Sequence, residues 1–95
     1  MTQQATQTEI DIFMDDVSTE VTRAVAKFPQ PNPTLAALTE EVGELAQAVL
    51  HIREGKSTDW WRVYGEAVQV AAMACRVALE GDPTVDAVPT EKNCN

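Results

Sequence analysis

Apolar residues recur at steps of three and four in three stretches of this 95-residue chain, the period of a helix with one buried side. Ile10, Phe13, Val17, Val21, Ala24 and Phe28 form the first stripe. Leu35, Leu38, Val42, Leu45, Val49 and Ile52 form the second. The third stretch, from Glu66 to Leu79, is apolar almost all round. No strand-like alternation and no internal repeat is present.

Punctuation between the stripes sets the predicted boundaries. A first helix is predicted over 9–28, with Thr8 as its cap and Asp11 completing an imperfect capping box. Pro29-Gln30-Pro31-Asn32-Pro33 ends it, since prolines remove donors and bias the preceding residues away from helix. Asn32 followed by Pro33 then reads as a cap and first turn for a second helix over 33–53, closed by Gly55 in a left-handed turn. The connection Glu54-Gly55-Lys56-Ser57 is short, so the third helix should fold back antiparallel. Ser57 or Thr58 is its expected cap, and Gly65 is a weak point that divides a short helix from a long one. Gly81-Asp82-Pro83 stops it. The expected organisation is a frayed segment 1–8, one all-α domain 9–82 and an irregular tail 83–95. The fold class is a bundle of three to four helices per subunit. A helix that is apolar all round is buried all round. One small domain covers both of its faces poorly, which predicts a homodimer or homotetramer joined through the 66–79 helix.

Composition narrows the partners. Seven basic residues against 15 acidic ones give a formal charge of −8. That argues against nucleic acid or an anionic membrane as the main partner, but not against a polyanion bridged by metal. Cys75 lies in an apolar run and reads as a small buried residue, and Cys94 reads as a free thiol. Free thiols, a polar amino terminus without a leader pattern and the lack of a membrane-length apolar run fit a cytoplasmic setting.

Two acidic features carry candidate chemistry. Glu40, Glu41 and Glu44 fall within an arc of roughly 100° beside the second stripe. They form either a solvated acidic edge or a set of oxygen ligands for a hard divalent cation such as Mg²⁺. Glu66 is the oddity, because it lies inside the apolar line Val63, Glu66, Val70, Met73, Val77. A carboxylate there needs compensation. It is met by Arg62 or Arg76, by a path to solvent, or by a metal shared with the Glu40–Glu44 rim of an antiparallel neighbour. Gln69, one turn on, could add a neutral oxygen.

Glu40-Glu41-x-x-Glu44, followed by Glu66-x-x-Gln69, resembles the EExxE…ExxD signature of the all-α NTP pyrophosphatases, the MazG-like family. The likeness runs through LAALTEEVGELAQAVL and EAVQVAAMACRVAL, over roughly residues 28–81. It implies Mg²⁺, or Mn²⁺, held by Glu40, Glu41, Glu44 and Glu66 with Gln69. The implied reaction is hydrolysis of a nucleoside triphosphate to monophosphate and pyrophosphate, for house-cleaning or control of the nucleotide pool. Glu41 or Glu44 would take the proton of the attacking water. The departure is Gln69 where the family has Asp, which removes a charge from a second metal site. Lys56, Arg53 and Arg76 are candidate phosphate contacts, with surface or helix-end charge as the competing role. Trp60, Trp61 and Tyr64 are candidates to stack on a base, Trp61 foremost, with core packing as the alternative. His51 has no second ligand at metal spacing. The rival class is a helical nucleotide-binding or assembly module without efficient turnover.

Overall fold

In a computed structural model that describes residues 2–90, the chain is all-helical: α1 (Gln7–Lys27), α2 (Thr34–Arg53) and α3 (Trp60–Glu80) are followed by a 3₁₀ turn at Pro83–Val85. No strand forms among the described residues, and Cys94 lies outside them. Bonds between helix ends fix the directions. Thr34 at the start of α2 donates its hydroxyl to the Gly81 carbonyl beyond the end of α3, at 2.7 Å. His51 near the end of α2 meets Arg62 near the start of α3, at 3.3 Å. Thus α2 and α3 are antiparallel, as the short loop predicts. Phe13 and Asp16 of α1 meet Tyr64, and Ala24 meets Arg76, so α1 runs parallel to α3. α3 is the central element: α1 and α2 each pack on it and not on one another.

That arrangement changes the reading of α3. Val63, Val68, Ala72, Met73 and Arg76 are buried within the subunit, whereas Ala74, Ala78 and Leu79 stay exposed. The core is thin, with Val17, Val68 and Ala72 at its centre and Phe13, Val21, Tyr64 and Ala71 packed around them.

Local chemistry explains several displaced boundaries. α1 begins two residues before the predicted start because Thr6, not Thr8, is its cap. Thr6 Oγ1 accepts from the Glu9 amide at 3.1 Å, and Glu9 returns its carboxylate to the Thr6 amide at 2.8 Å. Glutamate spans this reciprocal box where the shorter Asp11 does not. α2 is not capped by Asn32, which instead donates to the Phe28 carbonyl at 3.4 Å. Its first turn is served from the other end of the chain, where Asp82 Oδ2 accepts from the Leu35 amide at 2.9 Å. α3 is capped by Asp59 and runs unbroken through Gly65. Gly55 takes the expected left-handed conformation, with φ of 75°. Residues 83–90 are not simply extended: Asp82 and Ala87 exchange backbone bonds at 2.6 and 3.1 Å and fold the chain back on itself.

Candidate metal centre

The apolar stripe of α2 and the face that α2 buries do not coincide. At roughly 100° per residue, the six apolar positions centre some 80° away from the line Thr34, Ala37, Glu41, Ala48. It is this second line that faces α3: Thr34 and Ala48 are buried, and Ala37 and Glu41 partly so. Leu35, Val42 and Val49 stay 48, 48 and 40 % exposed. The roll of the helix therefore brings Glu41 inward and leaves half of an apolar stripe in water.

On the facing helix, Glu66 points to the same place. Carboxylate oxygens of Glu41, Glu44 and Glu66 all lie within 4.8 Å of one another. Glu41 and Glu66 are partly buried and Glu44 is exposed, so the trio opens to solvent on one side. The predicted convergence of two helices is thus present for these three residues. Glu40 is exposed one residue away and adds its charge to the field at Glu41 without joining the trio. Glu66 has no ion pair among the described residues. Arg62, one of its two suggested partners, reaches His51, and Arg76 is engaged elsewhere.

The electrostatic consequence is a cluster that holds protons. Burial, then the neighbouring Glu44, pushes the Glu41 carboxyl up to about 7, with Glu66 and Glu40 acting in the same direction. Burial and Glu44 also raise Glu66, and Arg62 partly offsets them. Carboxylates this close share a proton or bind a cation, since like charges at such spacing cannot all ionise uncompensated. The donor set of three carboxylates, open on one side, suits a hard divalent ion that keeps water or phosphate oxygens in its remaining positions.

The other predicted site residues divide. Gln69 lines a cleft of about 370 Å³ together with Glu40 and Glu41, and the carboxylate that its amide influences is Glu20 of α1. Arg76, the candidate phosphate contact, is engaged inside the subunit. It is 1 % exposed, and its guanidinium is clasped to Glu80 (2.8 Å) and to the Phe28 and Ala24 carbonyls (2.9 and 3.4 Å), tying α3 to the end of α1. Lys56 sits exposed in the α2–α3 loop, 3.3 Å from Glu54. Trp61 is 78 % exposed at the start of α3, edge-on to Tyr64. Trp60 and Tyr64, with Phe13 and Ile10, line a second, larger hollow of about 690 Å³ against residues 3–5. Tyr64 also donates to Asp16 at 2.6 Å. Sequence reasoning missed Glu20 and Arg23, which face the cleft from α1. Their only signal was a three-residue spacing suited to an ion pair. No family model, functionally characterised protein or solved structure matches the chain.

Proposed function

We propose that the chain is a Mg²⁺-dependent nucleoside triphosphate pyrophosphohydrolase of the MazG-like kind. The observation that carries this reading is the meeting of Glu41, Glu44 and Glu66 from antiparallel helices, obtained by rolling α2 off its apolar stripe. A helix that leaves Leu35, Val42 and Val49 half in water so as to turn a carboxylate inward breaks the ordinary burial rule, and such breaks concentrate at functional sites. Glu41, Glu44 and Glu66 hold the ion, with Glu40 beside them. When bound, Mg²⁺ supplies the positive charge that neutralises the triphosphate and acidifies the attacking water. Glu41 or Glu44, whichever keeps a free oxygen, takes the water's proton as it adds to the α-phosphorus and pyrophosphate leaves. Mn²⁺ is a suitable substitute for this oxygen-rich set.

The working unit is a homo-oligomer, and the exposed stripe of α2 is its contact. The chain exposes 6986 Å², whereas a compact monomer of its mass exposes about 5,400 Å². Part of the excess belongs to the extended residues 2–6, but it is large beside the roughly 800 Å² per partner that a stable dimer buries. Its radius of gyration is 15.2 Å, against about 12.4 Å for a compact domain of this length. Leu35, Val42 and Val49 supply a continuous apolar line for a second copy. Among the described residues no helix is long and apolar enough to cross a membrane.

Thermal melting with Mg²⁺ and a panel of nucleoside triphosphates, followed by pyrophosphate release, tests the reading. Ligands that bind the folded state raise the melting point. Release of pyrophosphate that disappears in Glu41→Gln and Glu66→Gln, with both variants folded, supports it. Nucleotide binding without release would favour the non-catalytic module. No shift with metal and every nucleotide at millimolar level would refute binding altogether.

A further inference from the structure

Because α1 and α2 flank α3 without touching each other, a trough runs between them. Gln69 and Met73 of α3 line it, and Phe28, Asn32 and Pro33 of the linker contribute to its wall. Its volume, about 370 Å³, falls within the range of small-molecule sites, roughly 300–1,000 Å³. Glu41 belongs both to the trough and to the carboxylate trio, so the two are continuous.

The polar groups of the trough are held in place and offer acceptors. Arg23 grips Glu20 with two bonds, at 2.9 and 2.6 Å. The Glu20 carboxyl is held below its ordinary range by Arg23 first and, more weakly, by the nearby Gln69 amide. An amide drawn to Glu20 through one N–H keeps its carbonyl oxygen as an acceptor for a ligand, beside its second N–H. Asn32 repeats the pattern. Its amide nitrogen donates to the Phe28 carbonyl, and its Oδ1 is buried without a partner. An enclosed acceptor of that kind is satisfied when a donor enters and the amide turns toward it. Met73, Ala37 and the half-exposed Phe28 add apolar walls. Apolar walls with acceptors at the margin fit a flat ring whose edge carries N–H donors, which is the chemistry of a nucleobase.

We infer that this trough reads the base of the nucleotide and that Gln69 is a specificity-determining residue accepting a base N–H, not a ligand of the metal. The inference rests on the nucleotide reading given under Proposed function and deepens it. Glu66 and Gln69 lie one turn apart on α3 but serve different neighbours: Glu66 joins the α2 carboxylates, and Gln69 is drawn to Glu20 on α1. An aspartate at 69 would set a second anion against Glu20, whereas an amide bridges Glu20 and a ligand.

Gln69→Ala, Gln69→Asp and Asn32→Ala in the full chain test this with two readouts. One is the affinity for Mn²⁺ alone, titrated by electron paramagnetic resonance. The other is kcat and KM for pyrophosphate release from ATP, GTP, CTP and UTP. The expected result is a Mn²⁺ affinity within about twofold of wild type in every variant. KM for the preferred nucleotide rises about tenfold with a smaller change in kcat, and the ranking among bases flattens. A Gln69→Asp protein that binds Mn²⁺ about tenfold more tightly, or a Gln69→Ala protein that binds it much more weakly, makes Gln69 a metal ligand and overturns the inference. Unchanged KM and base ranking overturn it as well, while leaving the metal-dependent hydrolysis standing. A wild-type protein that binds neither Mn²⁺ nor nucleotide overturns the Proposed function reading and this one with it. If Asn32→Ala fails to fold, the two Gln69 variants decide.

Discussion

Replacing Glu41 by Gln should stabilise the metal-free protein while removing its function, and the size of the gain follows from the cluster. Burial and three neighbouring carboxylates lift the Glu41 carboxyl from 4.5 to about 7. A raised folded-state value means that the carboxyl does no harm while protonated. Stability is full below the unfolded value near 4.5 and is lost as the pH climbs through about 7. Taken at face value the shift is worth up to about 3 kcal/mol at alkaline pH. The trio is open to water on the Glu44 side, and screening brings this to about 1–2 kcal/mol.

Glutamine keeps the shape and removes the charge. In chelator near pH 8.5, Glu41→Gln should therefore unfold about 1–2 kcal/mol later than wild type, or about 5–10 °C higher in melting temperature for a chain of this size. Near pH 4 the two proteins should coincide. Millimolar Mg²⁺ should reverse the order at high pH, because it stabilises the wild-type cluster by mass action and has little hold on the variant. Urea titrations at four pH values, with and without Mg²⁺, at one fixed protein concentration, measure all of this. A variant less stable than wild type in chelator at pH 8.5, or a difference that ignores pH, would refute the reasoning. Glu41 would then be part of a structural hydrogen-bond network and not a strained ligand waiting for a cation.

Mg²⁺ affinity should rise with pH through about 7, because the ion displaces a proton that the trio holds; calorimetry in buffers of different ionisation enthalpy counts that proton. Arg76→Met should cost about 3 kcal/mol in urea unfolding, since it removes a buried guanidinium's bonds to Glu80 and to the Ala24 and Phe28 carbonyls, yet leave KM unchanged; a raised KM without lost stability would restore Arg76 as a phosphate contact. Gly81→Ala should cost about 2–3 kcal/mol, because φ of 72° with ψ of −163° suits glycine and a Cβ there would run into the Ala87 carbonyl oxygen. Val49→Asp should shift a dimer to monomer in analytical ultracentrifugation, with folding retained, because it places a charge on the exposed α2 line; an unchanged mass puts the interface elsewhere.

Helices were legible because each carries its own period and its own punctuation. Three elements, their order and the antiparallel α2–α3 pair follow from proline, glycine and loop length alone. Caps were less legible where the cap is made by the more distant of two plausible partners. Thr6-Gln7-Thr8-Glu9 contains the complete box one step upstream of the apolar period that directed attention to Thr8. The cap of α2 was not legible at all, since Asp82 reaches it from 47 positions away in sequence. Convergence of Glu66 with the acidic turn of α2 was legible, because a carboxylate inside an apolar line demands an explanation. The fate of Arg76 was not. Buried arginine and surface arginine read alike until the carbonyls at the end of α1 come into view.

Two departures from ordinary packing in α2 share one physical origin. Turning Glu41 inward forces Leu35, Val42 and Val49 outward, because the helix is rigid and they stand roughly 100° from Glu41 on its surface. Half-exposing three such side chains forgoes about 1 kcal/mol each, and the partly buried carboxylate adds its own penalty. A 95-residue domain with a total stability of about 5–15 kcal/mol can tolerate this only if something restores it. A cation at the trio offsets the second loss, and a second copy on the exposed stripe offsets the first. If the proposed ion and partner both bind, metal binding and assembly should therefore be coupled through the roll angle of one helix. An ion that fixes Glu41 inward also fixes Val42 and Val49 outward, where a partner can bury them, and a partner on that stripe holds the carboxylate in place for the ion. The coupling must be reciprocal, so Mg²⁺ should lower the dissociation constant of the dimer by the same factor by which dimerisation tightens Mg²⁺. Sedimentation across a concentration series in chelator and in Mg²⁺ measures the first factor, and Mg²⁺ titration of dilute and concentrated protein measures the second. Equal affinities of assembly with and without the ion would separate the two halves of α2 and leave the exposed stripe without a cause.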